Sequence, residues 1–94
     1  MATVTVSGSL TRDQVAKVLG DELGPGVPVR PGRGADSVRV GKGPLRASVE
    51  VLAGGGTTTI KIAPWGLTLF RTINTMGVVR KIERALQQSE LPTA

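Results

Sequence analysis

Apolar and polar residues alternate in several short segments of the chain, and this alternation predicts a set of β-strands. The apolar positions are Val4 and Val6, Val27 and Val29, Val38 and Val40, the odd-numbered residues from Leu45 to Val51, and the even-numbered residues from Thr58 to Ile62. Turn sequences rich in Gly and Pro separate the segments after residue 27. The charged residues occupy the opposite positions, so we predict an antiparallel sheet with one apolar and one hydrated face.

Two amphipathic helices are predicted on either side of the four later strands. Thr11 and Gln14 have the spacing of an N-terminal capping box, and Gly24-Pro25 provides the end of the first helix. The second helix is predicted over about residues 68–88, with Gly77 either bending it or marking its true start. Its apolar stripe is expected to run through Leu69, Ile73, Met76, Val79, Ile82 and Leu86.

The predicted order is therefore β-α-β-β-β-β-α. Because neither helix has another apolar surface to pack on, both are expected to cover the same face of the sheet. We predict an α+β fold, a two-layer sandwich with a mostly antiparallel sheet. The 94 residues suffice for one domain, which we expect to span residues 1–90, with 91–94 as a frayed C-terminal tail.

The composition argues against most kinds of enzyme. The chain has no Cys and no His, so it lacks thiolate nucleophiles, disulfides, the commonest general base and the usual zinc ligands. Its seven carboxylates form no convincing pair for acid–base work. We therefore expect a non-catalytic protein that has no cofactor and no metal.

The N-terminal segment MATVTVSGS has neither a basic start nor an apolar run of signal-peptide length. No stretch approaches the roughly 18 apolar residues of a membrane span. These features predict a cytoplasmic protein without a membrane partner. The abundance of Arg, Gly, Val and Ala is typical of bacteria with GC-rich genomes.

Two basic blocks, residues 24–48 and residues 71–86, carry the excess positive charge of a chain whose net charge is +5. Between residues 24 and 48, one carboxylate, Asp36, accompanies five cations, which are Arg30, Arg33, Arg39, Lys42 and Arg46. These cations lie at or beside predicted turns. We predict that they bind an acidic protein surface, and the alternatives are that they contact nucleic-acid phosphates or serve only solubility and turn geometry.

Two motif-based hypotheses fail in this basic segment. A Walker-type phosphate loop requires Ser or Thr after its Gly-Lys, whereas Gly43 follows Gly41-Lys42, and Asp36 stands where the first Gly should be. The Gly-x-Gly sequences also lack the third glycine of a dinucleotide fingerprint. Any phosphate contact is therefore expected to come from side chains rather than from a glycine-rich cradle.

Trp65 and Phe70 are the only aromatic residues. Trp65 is predicted either to anchor a partner or to close one end of the core. The strand alternation assigns no aromatic residue to the hydrated face, so base stacking on that face is not expected.

The sequence thus predicts a basic binding or assembly module that meets an acidic protein or associates with itself. We expect a homodimer more than a monomer, because one sheet face and an edge strand remain uncovered. The first alternative is a nucleic-acid-binding protein. The second is a carrier of apolar small molecules, with a pocket lined by Met76, Val79 and Ile62 between the last helix and the sheet.

Overall fold

The computed structural model describes residues 2–88, so the predicted domain end at residue 90 and the predicted tail over 91–94 lie outside the described part of the chain. The elements follow the order β1 (Ala2–Ser7), α1 (Arg12–Leu23), β2 (Val29–Pro31), β3 (Ser37–Lys42), β4 (Leu45–Gly54), β5 (Thr57–Pro64), α2 (Thr68–Met76) and α3 (Val78–Gln88). The predicted α+β fold is confirmed.

All five strands form one antiparallel sheet in the order β1-β5-β4-β3-β2. Strands β2 to β5 follow one another as a meander, while α1 carries the chain across the sheet from β1 at one edge to β2 at the other. The predicted alternation is confirmed for Val38 and Val40, Val49 and Val51, and Ile60 and Ile62, which are all buried. It is wrong for Leu45 at the start of β4, which is 50% exposed.

The helices α1 and α3 cover the apolar face of the sheet. Val15 and Leu19 of α1 and Ile82 of α3 are completely buried against the strands, and each such side chain contributes about 1.5–3 kcal/mol through burial. The predicted capping box is present at the start of α1. The Thr11 hydroxyl accepts a hydrogen bond from the Gln14 backbone N–H at 3.2 Å, and the Gln14 side chain accepts one from the Thr11 N–H at 2.8 Å.

The predicted continuous apolar stripe of the last helix is wrong. The helix is interrupted at Gly77 (φ −110°, ψ −89°), and Met76 before the break is 66% exposed whereas Val79 after it is 3% exposed. This abrupt change in exposure coincides with the break in the helix, so the apolar residues of α2 and those of α3 do not continue one another as a single stripe. Only the α3 half of the predicted stripe faces the sheet.

Strand β3 contains a bend that requires glycine. Gly41 has φ +99°, and a Cβ atom there would overlap the backbone carbonyl oxygen of Leu45. The bend brings the Gly41 N–H to 2.8 Å from the Pro28 carbonyl oxygen, to which it donates a hydrogen bond. This hydrogen bond thus joins the segment just before β2 to the β3–β4 hairpin.

We expect Gly41→Ala to lower the free energy of unfolding by at least about 1–3 kcal/mol, because alanine meets both an unfavourable φ and a backbone clash. The control is Gly20→Ala on the exposed side of α1, where a Cβ atom has open space and should stabilise the helix by about 0.5–1 kcal/mol. Urea unfolding followed by circular dichroism measures both changes. Equal stabilities of the two variants would show that the bend does not require glycine.

Candidate binding face

The strand register gathers arginines on the hydrated face of the sheet. Arg30 of β2 is directly opposite Arg39 of β3, and Arg39 in turn is opposite Ser48 of β4. Like charges directly opposite each other destabilise a strand pair. Within residues 2–88 the one ion pair is Arg12 with Asp13, at 3.3 Å, so no carboxylate of the described chain forms an ion pair with Arg30 or Arg39.

Two adjoining hollows on this face contain all the cations singled out from the sequence. The first, of about 210 Å³, is lined by Arg30, Arg39, Lys42 and Arg46. The second, of about 290 Å³, is lined by Arg33, Arg39, Arg46 and Trp65. Because the hollows share Arg39 and Arg46, the surface is continuous. We refer to Arg30, Arg33, Arg39, Lys42, Arg46 and Trp65 together as the basic face.

The expectation that no aromatic residue borders the hydrated face is wrong. Trp65 is 41% exposed, and the Arg46 guanidinium carbon lies 4.1 Å from the centre of its ring, a cation–π contact. The backbone N–H of Trp65 donates a 3.0 Å hydrogen bond to the Arg46 carbonyl oxygen, and this bond prolongs the β4–β5 pairing past the end of β5. Trp65 also continues the odd-numbered, outward-facing series of β5, and this is the signal that could have placed it from the sequence.

A buried amide fixes the position of Trp65 from the other side. Asn74 of α2 is completely buried, and its side-chain nitrogen donates to the carbonyl oxygens of Pro44 at 2.9 Å and Trp65 at 2.8 Å. One side chain therefore joins the β3–β4 turn, the segment after β5, and α2. The indole of Trp65 is presented from a backbone that is held by hydrogen bonds on both sides.

Arg46 keeps unused hydrogen-bonding capacity. Its Nε atom is buried and has no hydrogen-bond partner, and its guanidinium contacts the Trp65 ring instead of an acceptor. The neighbouring row of paired residues on the same face contains charges of both signs, since Glu50 of β4 is opposite Lys61 of β5. None of the cations of the basic face forms an ion pair within the described residues, while the neighbouring row combines both signs of charge.

A third hollow is lined by other residues than those predicted for an apolar pocket from the sequence. It measures about 420 Å³ and lies between α3, the end of α1 and the β3–β4 hairpin, with Leu23, Val40, Val78 and Ile82 in its walls. The predicted lining is wrong, because Met76 points to solvent while Val79 and Ile62 are buried within the packed core. The break in the helix at Gly77 accounts for this difference.

Helix α2 presents large apolar side chains to solvent. Leu67, just before the helix, is 87% exposed, and Leu69 and Met76 are each 66% exposed. Phe70 and Ile73, which lie closer to the body of the domain, are 40% and 41% exposed. We refer to these five residues as the α2 apolar surface. The sequence pattern alone assigned Leu69, Ile73 and Met76 to the core.

Among residues 2–88, no three acidic side chains come together in a group that could hold a metal ion. None of the helices in the same part of the chain is long and apolar enough to cross a bilayer. Comparison of the chain with protein-family models, with curated proteins and with solved structures finds no match in any of the three.

We expect Asn74→Ala to lower the free energy of unfolding by about 1–3 kcal/mol, because it leaves the Pro44 and Trp65 carbonyls without their buried donor. The fluorescence of Trp65 should change in the folded variant as well. The matched control is Thr72→Ala on the same helix, which removes an exposed hydroxyl that bonds only to the Thr68 carbonyl at 3.1 Å and should cost no more than about 0.5 kcal/mol. Equal unfolding midpoints and unchanged emission in both variants would contradict the role of Asn74.

Proposed function

We propose that the protein is a non-catalytic module that binds single-stranded nucleic acid on the basic face. The observation that carries the proposal is the direct apposition of Arg30 and Arg39 beside an exposed tryptophan, with no carboxylate of the described chain paired to either arginine. An anion bound between the two arginines would convert this repulsion into attraction. Charge-assisted hydrogen bonds from guanidinium groups to phosphate oxygens are also among the stronger polar contacts.

A row of phosphates fits the arrangement better than a single anion does. The cations are distributed over two adjoining hollows instead of converging on one point. Arg39 and Arg46 border both hollows, so they can bridge neighbouring phosphates along a strand. Binding of this kind draws its affinity mainly from the release of counterions and depends weakly on base sequence.

Trp65 favours nucleic acid over an acidic protein as the partner. It lines the same hollow as Arg33, Arg39 and Arg46, and the combination of a cationic groove with an aromatic side chain is the one that holds single strands by phosphate contacts and base stacking. Arg46 contributes as well, since a planar guanidinium can itself stack on a base. A surface that recognised only carboxylates would gain little from the indole.

The position of the basic face favours a single strand over a duplex. Its side chains project from the sheet, and α1 and α3 lie on the opposite side. Reading of a duplex normally places a helix or a two-stranded ribbon in the major groove, and neither α1 nor α3 lies on the hydrated side of this sheet. An open sheet surface instead accommodates an extended strand whose bases are unpaired.

We expect the protein to bind a fluorescently labelled single-stranded oligonucleotide with an affinity that falls steeply as salt rises. Single-strand binding gives a log–log slope of about −0.7 per neutralised phosphate, so Arg39→Ala should flatten the slope by roughly 0.7 and weaken binding at low salt. Arg80→Ala removes the same charge from an exposed position of α3 and should leave the slope unchanged. Fluorescence anisotropy at several salt concentrations measures both variants.

The outcomes separate the proposal from its alternatives. Absence of binding even at low salt, or equal weakening by Arg39→Ala and Arg80→Ala, would contradict a phosphate site on the basic face. Polyglutamate that competes fully with the oligonucleotide would instead support an acidic protein partner. Preference for the corresponding duplex would contradict the single-strand assignment.

Stacking on Trp65 gives an independent test. Because Trp65 is the only tryptophan, quenching of the intrinsic fluorescence by an oligonucleotide reports on this side chain alone. We expect quenching on binding, and we expect Trp65→Ala to weaken affinity about tenfold while leaving the salt slope intact, since base stacking contributes about 1–3 kcal/mol. Binding that leaves the emission unchanged would mean that the bases lie away from the indole.

A further inference from the structure

The α2 apolar surface is large for an ordinary solvent-facing helix. Leu69, Ile73 and Met76 line one side of α2 and are 41–66% exposed, and Leu45, which is 50% exposed, follows the Pro44 carbonyl that Asn74 holds. Together with Leu67 and Phe70, these side chains expose an area on the order of several hundred Å², the scale at which apolar patches mark interaction sites. A chain with a mean hydropathy of only +0.07 thus concentrates much of its exposed apolar area on one helix.

We propose that the α2 apolar surface is the interface at which a second copy of this chain binds, giving a twofold symmetric dimer. The spacing of its central residues fits the pairing of two helices. Leu69, Ile73 and Met76 are separated by four and then three positions, the alternation that forms the apolar seam of paired helices. Helix α2 is nine residues long, so two antiparallel copies would share all of this short seam.

The absence of charged residues from the α2 apolar surface supports a second copy of the chain as its binding partner. A twofold interface brings the same surface of both copies together, so that surface must be complementary to itself. The α2 apolar surface contains no charged residue, and the one charge of α2, Arg71, lies two positions from Leu69 and therefore roughly on the opposite side of the helix. Two copies can meet through this surface without opposing like charges, although each chain carries a net charge of +5.

Other occupants fit the same surface less well. An acidic protein would find no cation on it to pair with. A helix that lies on a membrane surface typically carries several Lys or Arg residues along its polar side, whereas the polar side of α2 consists of Thr68, Thr72 and Thr75 with Arg71 as its single cation. The dimer proposal rests on α2 alone and does not depend on what the basic face binds.

Sedimentation velocity over a range of protein concentrations tests the proposal. We expect a monomer–dimer equilibrium for the unaltered chain, and the double variant Leu69→Asp, Met76→Asp should raise the dissociation constant at least about 100-fold because it places carboxylates in an apolar contact on both copies. The control Thr75→Asp adds a charge to the polar side of the same helix, about 100° or more around it from Leu69 and Met76, and should leave the equilibrium within a few-fold. Because Leu69 and Met76 are mostly exposed, circular dichroism should confirm that the double variant still folds.

Thiol cross-linking gives a second readout that does not require a disruptive variant. The chain contains no cysteine, so Ile73→Cys introduces a single thiol at the middle of the seam, and Thr75→Cys introduces one on the polar side, roughly opposite Ile73. A short bis-maleimide should join Ile73→Cys into a covalent dimer much faster than Thr75→Cys. Equal rates for the two variants would overturn the proposed interface.

Two further results would overturn the proposal. One is a chain that stays monomeric up to millimolar concentration, and the other is a dimer that the double variant leaves intact. If the monomeric chain binds phosphatidylcholine vesicles and the Leu69→Asp, Met76→Asp variant does not, the surface is occupied by lipid and not by a second copy. None of these outcomes alters the salt dependence of oligonucleotide binding, so the proposed function is tested separately.

Discussion

The amide of Asn74 is the contact on which both exposed surfaces of this domain depend. It points into the protein from α2 and holds the carbonyl oxygens of Pro44 and Trp65, whereas the inward side of a surface helix is usually apolar. Ile73 is the residue before Asn74, so its side chain lies about 100° around α2 from the Asn74 side chain. A polar anchor on the inner side therefore leaves the apolar side of α2 turned toward solvent.

The same anchor orients the basic face. The Trp65 carbonyl oxygen accepts a hydrogen bond from the Asn74 side chain, and the Trp65 backbone N–H donates one to the Arg46 carbonyl oxygen. The backbone after β5 therefore stays in line with β4. The indole then lies under the Arg46 guanidinium. A single buried side chain thus joins the end of the sheet that carries the basic face to the helix that carries the α2 apolar surface.

Local patterns were sufficient to predict the sheet and the first helix. The alternation from Val38 to Ile62 specifies which face of each strand is buried, and the Thr11–Gln14 capping box marks the start of α1 through contacts between residues three positions apart. The division of the last helix was harder to predict, because steps of three residues resemble a helical stripe over short distances and rotate around the helix over longer ones. Gly77 made a break possible, but its backbone angles depend on the packing of both helices.

The grouping of the basic residues could be predicted only in part. Their clustering between residues 24 and 48 is visible in the sequence, whereas the opposition of Arg30 and Arg39 depends on the register of β2 against β3. The contact between Arg46 and Trp65 joins residues far apart in the chain, through a pairing of β4 with β5 that continues beyond Pro64. Such relations follow from how strands align, which no local pattern specifies.

The position of β1 has a consequence for the order in which the chain folds. Strands β2 to β5 are joined by short turns and can pair as neighbours, but β1 pairs only with β5, where Ala2 faces Ile62 and Ser7 faces Thr57. Contacts between such distant segments form slowly, because a long stretch of chain must be closed before they yield any energy. Strand β1 therefore has no partner in this sheet until β5, the last of its five strands in chain order, has been made, and until then Val4 and Val6 lack the strand beside which they are buried.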